Sequence, residues 1–168
     1  MRVACIQYKS YEDEKKTLKK LIPLIYSAAK KKVDLITLPE CATFLNVNKS
    51  ETMINASFER NSLSLKLLKE IAKDLDVNIL IGSLQTLEYK MLTKKLFNRS
   101  FLINRKGKVL CKYDKIHMYD VTITKNHKQN DKNKKKDENT NKSMIRRWRG
   151  CLHDIREAPK QRKAKKPI

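Results

Sequence analysis

Apolar positions along the chain alternate between two spacings. Residues 2–8, RVACIQY, form a short strand-like run, and the segment after it, KSYEDEKKTLKKLIPLIYSAAKKK, changes period. There Leu18, Leu21, Ile22, Ile25 and Ala29 recur at helical spacing with lysines on the opposite side, which predicts a helix that contains Pro23. Ser10 and Asp13 are its candidate caps. Residues 33–38 are strand-like again, and a strand–helix–strand order this compact implies parallel pairing in an α/β sheet.

The unit repeats once. Residues 62–75, SLSLKLLKEIAKDL, place Leu65, Leu68, Ile71, Ala72 and Leu75 on one stripe, and residues 77–83, VNILIGS, read as the next strand. The pattern then changes to two strand runs, 96–103 and 109–113, about a turn at Arg105, Lys106 and Gly107. Glycine suits the positive φ of a tight hairpin, so two α/β units are followed by an antiparallel pair. Residues 125–141, KNHKQNDKNKKKDENTN, contain no hydrophobic side chain; such a run cannot offset its ordering entropy by burial and is expected to be disordered. The last stretch, KSMIRRWRGCLHDIREAPKQRKAKKPI, leaves room for a short amphipathic helix but has little from which to build a core.

Charge sharpens this division. The chain of 168 residues carries a net charge of +21. Residues 124–168 hold 16 basic and 5 acidic residues, net +11, against +10 for the first 123, so the tail is far more basic per residue. All twelve Asn lie in residues 1–143, whereas five of the nine Arg lie in the last 25 residues. The end of the chain therefore reads as sequence of different origin, which an insertion, a frameshift or a fused segment would each produce. The expected division is a folded domain over 1–123, a low-complexity Lys/Asn linker over 124–143 and a basic tail over 144–168.

Cys5, Cys41, Cys111 and Cys151 show neither a C-x-x-C pair nor a zinc spacing, and MRVACIQY lacks the apolar core of a signal peptide. No apolar run approaches the ~18 residues that span a bilayer. A reduced, cytoplasmic protein that is not embedded in a membrane is the expectation, with no cofactor or metal implied.

One stretch raises a chemical question. DLITLPECATF, residues 34–44, carries an apolar strand straight into Pro39 and Glu40. Taken alone it is a strand that stops at proline with its carboxylate in water, since glutamate is seldom buried without a partner. Together with VACIQ at the start and NRSFLINRKGKVLCKYDKIHMYDV over residues 98–121, however, it resembles the N-terminal part of the nitrilase, or carbon–nitrogen hydrolase, superfamily, closest to its amidase-like branch. The last segment is the most specific, joining an Asn-led strand, a Gly hairpin and a Tyr-x-Lys-x-His-x-Tyr-Asp run. The resemblance covers residues 1–123.

It implies the N-terminal part of an αββα sandwich followed by a disordered basic tail, and a Glu-Lys-Cys triad that hydrolyses small linear amides through an acyl-enzyme. Glu40 matches the general base and Lys115 the cation that stabilises the tetrahedral intermediate. A thiol near its ordinary pKa of about 8.5 is mostly protonated at neutral pH, so a carboxylate must take its proton while an ammonium favours the thiolate. Donors fixed on a developing oxyanion are worth roughly 10²- to 10³-fold in rate. His117 and Asp120 belong to the same run and are read as scaffold rather than as proton carriers.

The third member of the triad is harder to place. Cys151 follows Lys115 by 36 residues, and RGCLHDIREAP offers Asp154, Arg156 and Pro159 in the family's order but displaced. The family's nucleophile stands on an elbow after an apolar strand, and here SMIRRWRG puts three arginines where that strand belongs. Without a strand to aim it, the sulfur is not held to the ~0.5 Å that a working site needs. Cys5, Cys41 and Cys111 are assigned to packing. The expectation is thus a truncated domain whose Glu40 and Lys115 persist without their thiol, with an open sheet edge and an uncovered apolar face. Such a fragment would persist by pairing with a second copy or with a chain carrying the rest. Competing readings are a non-catalytic remnant and a nucleic-acid binder acting through the basic tail, although Trp148 is the sole aromatic after Tyr119 on which a base could stack.

Overall fold

The computed structural model describes residues 1–46 and 48–116. The expectations for the Lys/Asn linker, the basic tail, His117, Asp120 and Cys151 lie outside the described residues.

A first strand β1 (Val3–Cys5) leads to helix α1 (Glu14–Lys30), whose N-cap is Asp13: its carboxylate accepts the Lys16 N–H at 2.9 Å. The helix runs through Pro23 without a break and buries Leu18, Leu21 and Ile25 along the expected stripe. Strand β2 (Leu35–Leu38) pairs parallel to β1, with Val3 opposite Leu35. After a short helix α2 (Lys49–Asn55) and a two-residue strand β3 (Ser57–Phe58), a single 3₁₀ turn (Glu59–Asn61) leads into α3 (Leu63–Asp74). Ser62 caps α3 through the Leu65 N–H. Strand β4 (Asn78–Lys90) lies parallel to β2, and β5 (Thr93–Ile103) and β6 (Val109–Asp114) follow antiparallel, giving the order β1-β2-β4-β5-β6 with β3 also on β4.

Strand periodicity separates the two faces of this sheet. Ile36, Leu38, Ile79, Ile81, Phe101 and Ile103 point to one side and pack with Leu21 and Ile25 of α1 and Leu68 and Ala72 of α3 into the main core. Ser64 of α3 donates to Glu14, tying the starts of the two helices together. On the other side Leu35, Leu102 and Cys111 form a smaller cluster against Leu80. Leu35, Leu102 and Cys111 are all buried.

Two regions differ from the sequence reading. Residues 49–58 carried no assignment, and α2 explains why: Thr52 is its sole buried residue and Ile54 is 80% exposed, so it has no apolar stripe to detect. Strand β4 runs seven residues past Ser83 to a tight turn at Met91 and Leu92. Met91 has φ +56°, a conformation normally signalled by Gly, Asn or Asp, and its side chain gave no such signal.

The feature that shapes the sheet's upper end is a bulge in β4. The β4–β5 register slips between Ile81 and Leu84, which frees Gly82 and Ser83 from the ladder. The polar groups of Ser83 are taken up by the segment after β2: its N–H donates to Pro39 O at 3.3 Å, and its carbonyl accepts the Ala42 N–H at 2.9 Å. Ser83 Oγ accepts the Cys41 N–H at 2.8 Å. A Cβ on Gly82 would stand 2.4 Å from Leu38 O and 2.6 Å from Pro39 C. Because those are backbone atoms, they cannot rotate aside. Gly82→Ala is therefore expected to destabilise the domain by about 1–3 kcal/mol, as overpacking does, and to lower its urea midpoint; an unchanged midpoint would show that the contact is not tight.

Candidate active site

Glu40 stands just beyond the carboxyl end of β2, the end at which α/β sheets place their sites. Lys115 follows the last residue of β6. Though 75 residues apart in sequence, they meet: Lys115 Nζ donates to Glu40 Oε1 at 2.8 Å. A third residue joins them. Asn98 of β5 donates through Nδ2 to the same Oε1 at 2.7 Å, while its backbone carbonyl accepts the Lys115 N–H at 2.9 Å. Asn98 thus fixes the carboxylate with its side chain and the lysine with its backbone. Its place at the head of the Asn-led strand of the third family-like segment is the signal in the sequence that marks it.

These groups open onto a cleft of about 350 Å³ lined also by Gly82, Ser83, Ser100 and Tyr113. A larger cleft, about 670 Å³, lies on the helical face between α3 and the β4–β5 pair and contains neither Glu40 nor Lys115. The Glu40–Lys115 chemistry therefore belongs to the smaller one. Ser100 Oγ donates to Gly82 O at 2.5 Å, fastening the floor of that cleft to the bulge.

Lys115's hydrogen bond, helped by that from Asn98, holds the Glu40 carboxyl below its ordinary pKa against a smaller opposing effect of burial. Glu40 is consequently ionised at neutral pH, the form that can accept a proton. Its neighbour Cys41 is the nearest thiol in sequence, half-buried at φ +50°, with Gln85 Nε2 at 3.5 Å from Sγ. Burial first, and then the Glu40 charge, push the Cys41 thiol up, so it is held as the weakly nucleophilic thiol. Cys111 is buried in the small apolar cluster but is disulfide-bonded, against the expectation of a reduced protein, and Cys5 in the edge strand β1 is exposed, so it does not pack as expected.

The arrangement is an acid–cation pair at a strand end, beside a cleft and fixed by one amide. The carbon-nitrogen hydrolase family model matches residues 2–142, extending past residue 123, and the chain belongs to that family. It is 31% identical over 122 residues to nitrilase homolog 2 of Dictyostelium discoideum, covering 73% of this chain and 36% of that protein. It is 29% identical over 130 residues to an omega-amidase of Saccharomyces cerevisiae, covering 73% and 43% respectively. Among solved structures, the NitFhit protein of C. elegans superposes with a TM-score of 0.64 at 25% identity over 72% of this chain and 29% of that one. The amidase of Nesterenkonia AN1, also of the nitrilase superfamily, does so at 0.60 and 23%, over 72% and 45%. The chain thus spans less than half the length of each of these relatives.

Since Glu40 has its pKa lowered on folding, its pairing adds stability above the unfolded carboxyl's value and loses it as pH falls through the lower folded value. The two side chains are 56% and 39% exposed, so the contribution is less than about 1 kcal/mol. Urea midpoints are expected to be slightly higher in wild type than in Glu40→Gln at neutral pH and to converge in acid. A gap that stays constant through the acid range would contradict the pairing.

Proposed function

We propose that this chain is an amidase-type carbon–nitrogen hydrolase domain for small linear amides, with Glu40 as general base and Lys115 as oxyanion-stabilising cation, and that by itself it lacks a positioned thiol. The observation that carries this reading is the Glu40–Lys115 contact, made at the carboxyl end of β2 and braced by Asn98. The amidases among its relatives support the substrate class.

Given a thiol at the cleft, the chemistry follows from the pair. Glu40 takes the S–H proton as sulfur attacks the amide carbon. The carbonyl electrons move onto oxygen, where the Lys115 ammonium and its charge lie close by. As the C–N bond breaks, Glu40 returns the proton to the leaving amine. Water then attacks the thioester with Glu40 again as base, releasing the acid and restoring the thiol. Before substrate arrives, the lysine's hydrogen bond keeps Glu40 a weak base. When the ammonium turns toward a developing oxyanion, that restraint is relieved and Glu40's basicity rises.

Among the described residues no thiol fills this role, Cys41 being held protonated. Cys151 follows an arginine-rich run instead of an apolar strand. The domain would thus persist by pairing with a second copy, and would act only with a complementing chain that supplies the thiol, in the cytoplasm. Incubation with an activated ester and a panel of short amides, read by mass spectrometry of each cysteine and by ammonia release, is expected to give no thioester and no turnover above a Lys115→Met control. A thioester on Cys151 with turnover would refute the absence of a nucleophile.

One observation favours a second role, the +11 net charge of residues 124–168. Lysine and arginine at this density bind nucleic acid through phosphates in a salt-dependent way. RNA binding is expected to weaken steeply with salt and to be lost on deletion of residues 125–168. Binding that survives the deletion would clear the tail of that role.

A further inference from the structure

Behind the Glu40–Lys115 pair, on the helical face of the sheet, lies a second ionic cluster that the chemistry above does not use. Its centre is Arg99, the residue next to Asn98, and strand alternation sends the two side chains to opposite faces. The Arg99 side chain is 12% exposed and meets three carboxylates. Asp114 is held by two donors on one edge of the guanidinium, Nε to Oδ1 at 2.5 Å and Nη2 to Oδ2 at 2.9 Å. Glu88 accepts at 2.7 Å and Glu59 at 3.2 Å. Lys112 Nζ reaches Glu59 at 2.5 Å, and the guanidinium also lies 5.4 Å from the centre of the Phe97 ring.

Position gives this cluster its meaning. Arg99 and Asp114 are the last register pair of the β5–β6 ladder, and the next residues on each strand toward the cleft are Asn98 and Lys115. The clamp on one face therefore closes the ladder at the point from which the lysine leaves it. Beyond it, among the described residues the contacts that direct Lys115 are the Asn98 carbonyl on its N–H and Glu40 on its ammonium.

We propose that Arg99 is the positioning residue of the site: by gripping Asp114 in a two-pronged contact, it sets the end of β6 so that the Lys115 ammonium meets Glu40. This rests on the reading of Glu40 and Lys115 as the working pair. Arg99 touches neither of them, and acts through the backbone of residues 114 and 115. Lysine cannot replace it, because an ammonium is a single point charge without the planar fork that two carboxylate oxygens require. The surrounding carboxylates, Asp114 first, raise the Arg99 pKa further, so the clamp keeps its positive charge throughout the working pH range.

The test follows the Glu40 carboxyl carbon by NMR through an acid titration of the full chain. Wild type is compared with Lys115→Met, Arg99→Lys, Asp114→Asn, and each of the latter two combined with Lys115→Met. Loss of the lysine contact is expected to raise the Glu40 midpoint. Arg99→Lys keeps the charge and loses the fork, so a rise there reports geometry and not field. Asp114→Asn is sharper in sign: removing a negative charge would lower the Glu40 midpoint through the field alone, whereas loss of positioning raises it. Both single variants are expected to raise it part of the way toward Lys115→Met, and neither to raise it further in the double variants.

Wild-type midpoints in Arg99→Lys and Asp114→Asn, accompanied by lower urea midpoints, would overturn the proposal and leave the cluster a purely structural role. An unmoved midpoint in Lys115→Met would overturn the pair and the proposal with it. Because the readout needs no turnover, its result does not depend on whether the chain hydrolyses amides, which the ammonia-release assay scores separately.

Discussion

Backbone lies directly on backbone where Leu38 and Pro39 cross Gly82, and the upper end of the sheet is arranged around that crossing. A side chain at residue 82 would have to occupy space already held by the Leu38 carbonyl. Glycine allows the approach, the β4 bulge turns its polar groups outward to meet it, and Ser83 binds the incoming strand end from both sides. The path of residues 39–42 follows from this. Glu40 is carried over the cleft instead of continuing along the ladder, and Cys41 is left at a positive φ that a non-glycine residue adopts only when its surroundings impose it.

The same sheet keeps chemistry and support apart by alternation. Asn98, Ser100 and Leu102 face the cleft side, while Arg99, Phe101 and Ile103 face the helices. One strand thus holds the amide that braces the carboxylate, the guanidinium that ties down β6 and the aromatic ring at the centre of the core. Glu40 and Lys115 arrive from strands at different places in the sheet, and β5 is the element that touches both. A charged pair exposed to this extent contributes little to stability. Its arrangement is better understood as a demand of chemistry than of folding.

Much of this was legible in the sequence because the main elements carry strong local signals. Helices α1 and α3 showed their stripes and α1 its cap at Asp13, β2 and the core of β4 were continuous apolar runs, and Gly107 marked the β5–β6 turn, where it adopts φ +73°. The partnership of Glu40 with Lys115 was reached through a family resemblance, since nothing local to residue 40 or 115 reveals a contact across 75 positions. What escaped has a common physical cause. The Met91 turn uses a positive φ without a residue that favours it, α2 is nearly all exposed, and the Arg99 cluster is assembled from four segments whose charges look individually like ordinary surface residues. Such features are decided by tertiary contacts, and one strand's sequence does not record what lies across from it.

The folded domain already holds its carboxylate and ammonium together, before any thiol or substrate is present. The most direct measurement is the nitrogen-15 resonance of the Lys115 ammonium, followed through the acid titration of Glu40. If the pair is assembled as described, the lysine nitrogen shifts with the same midpoint as the Glu40 carboxyl carbon, below the ordinary carboxylate range. A Lys115 nitrogen that passes through the titration unmoved, or a Glu40 midpoint at its ordinary value, would contradict the account.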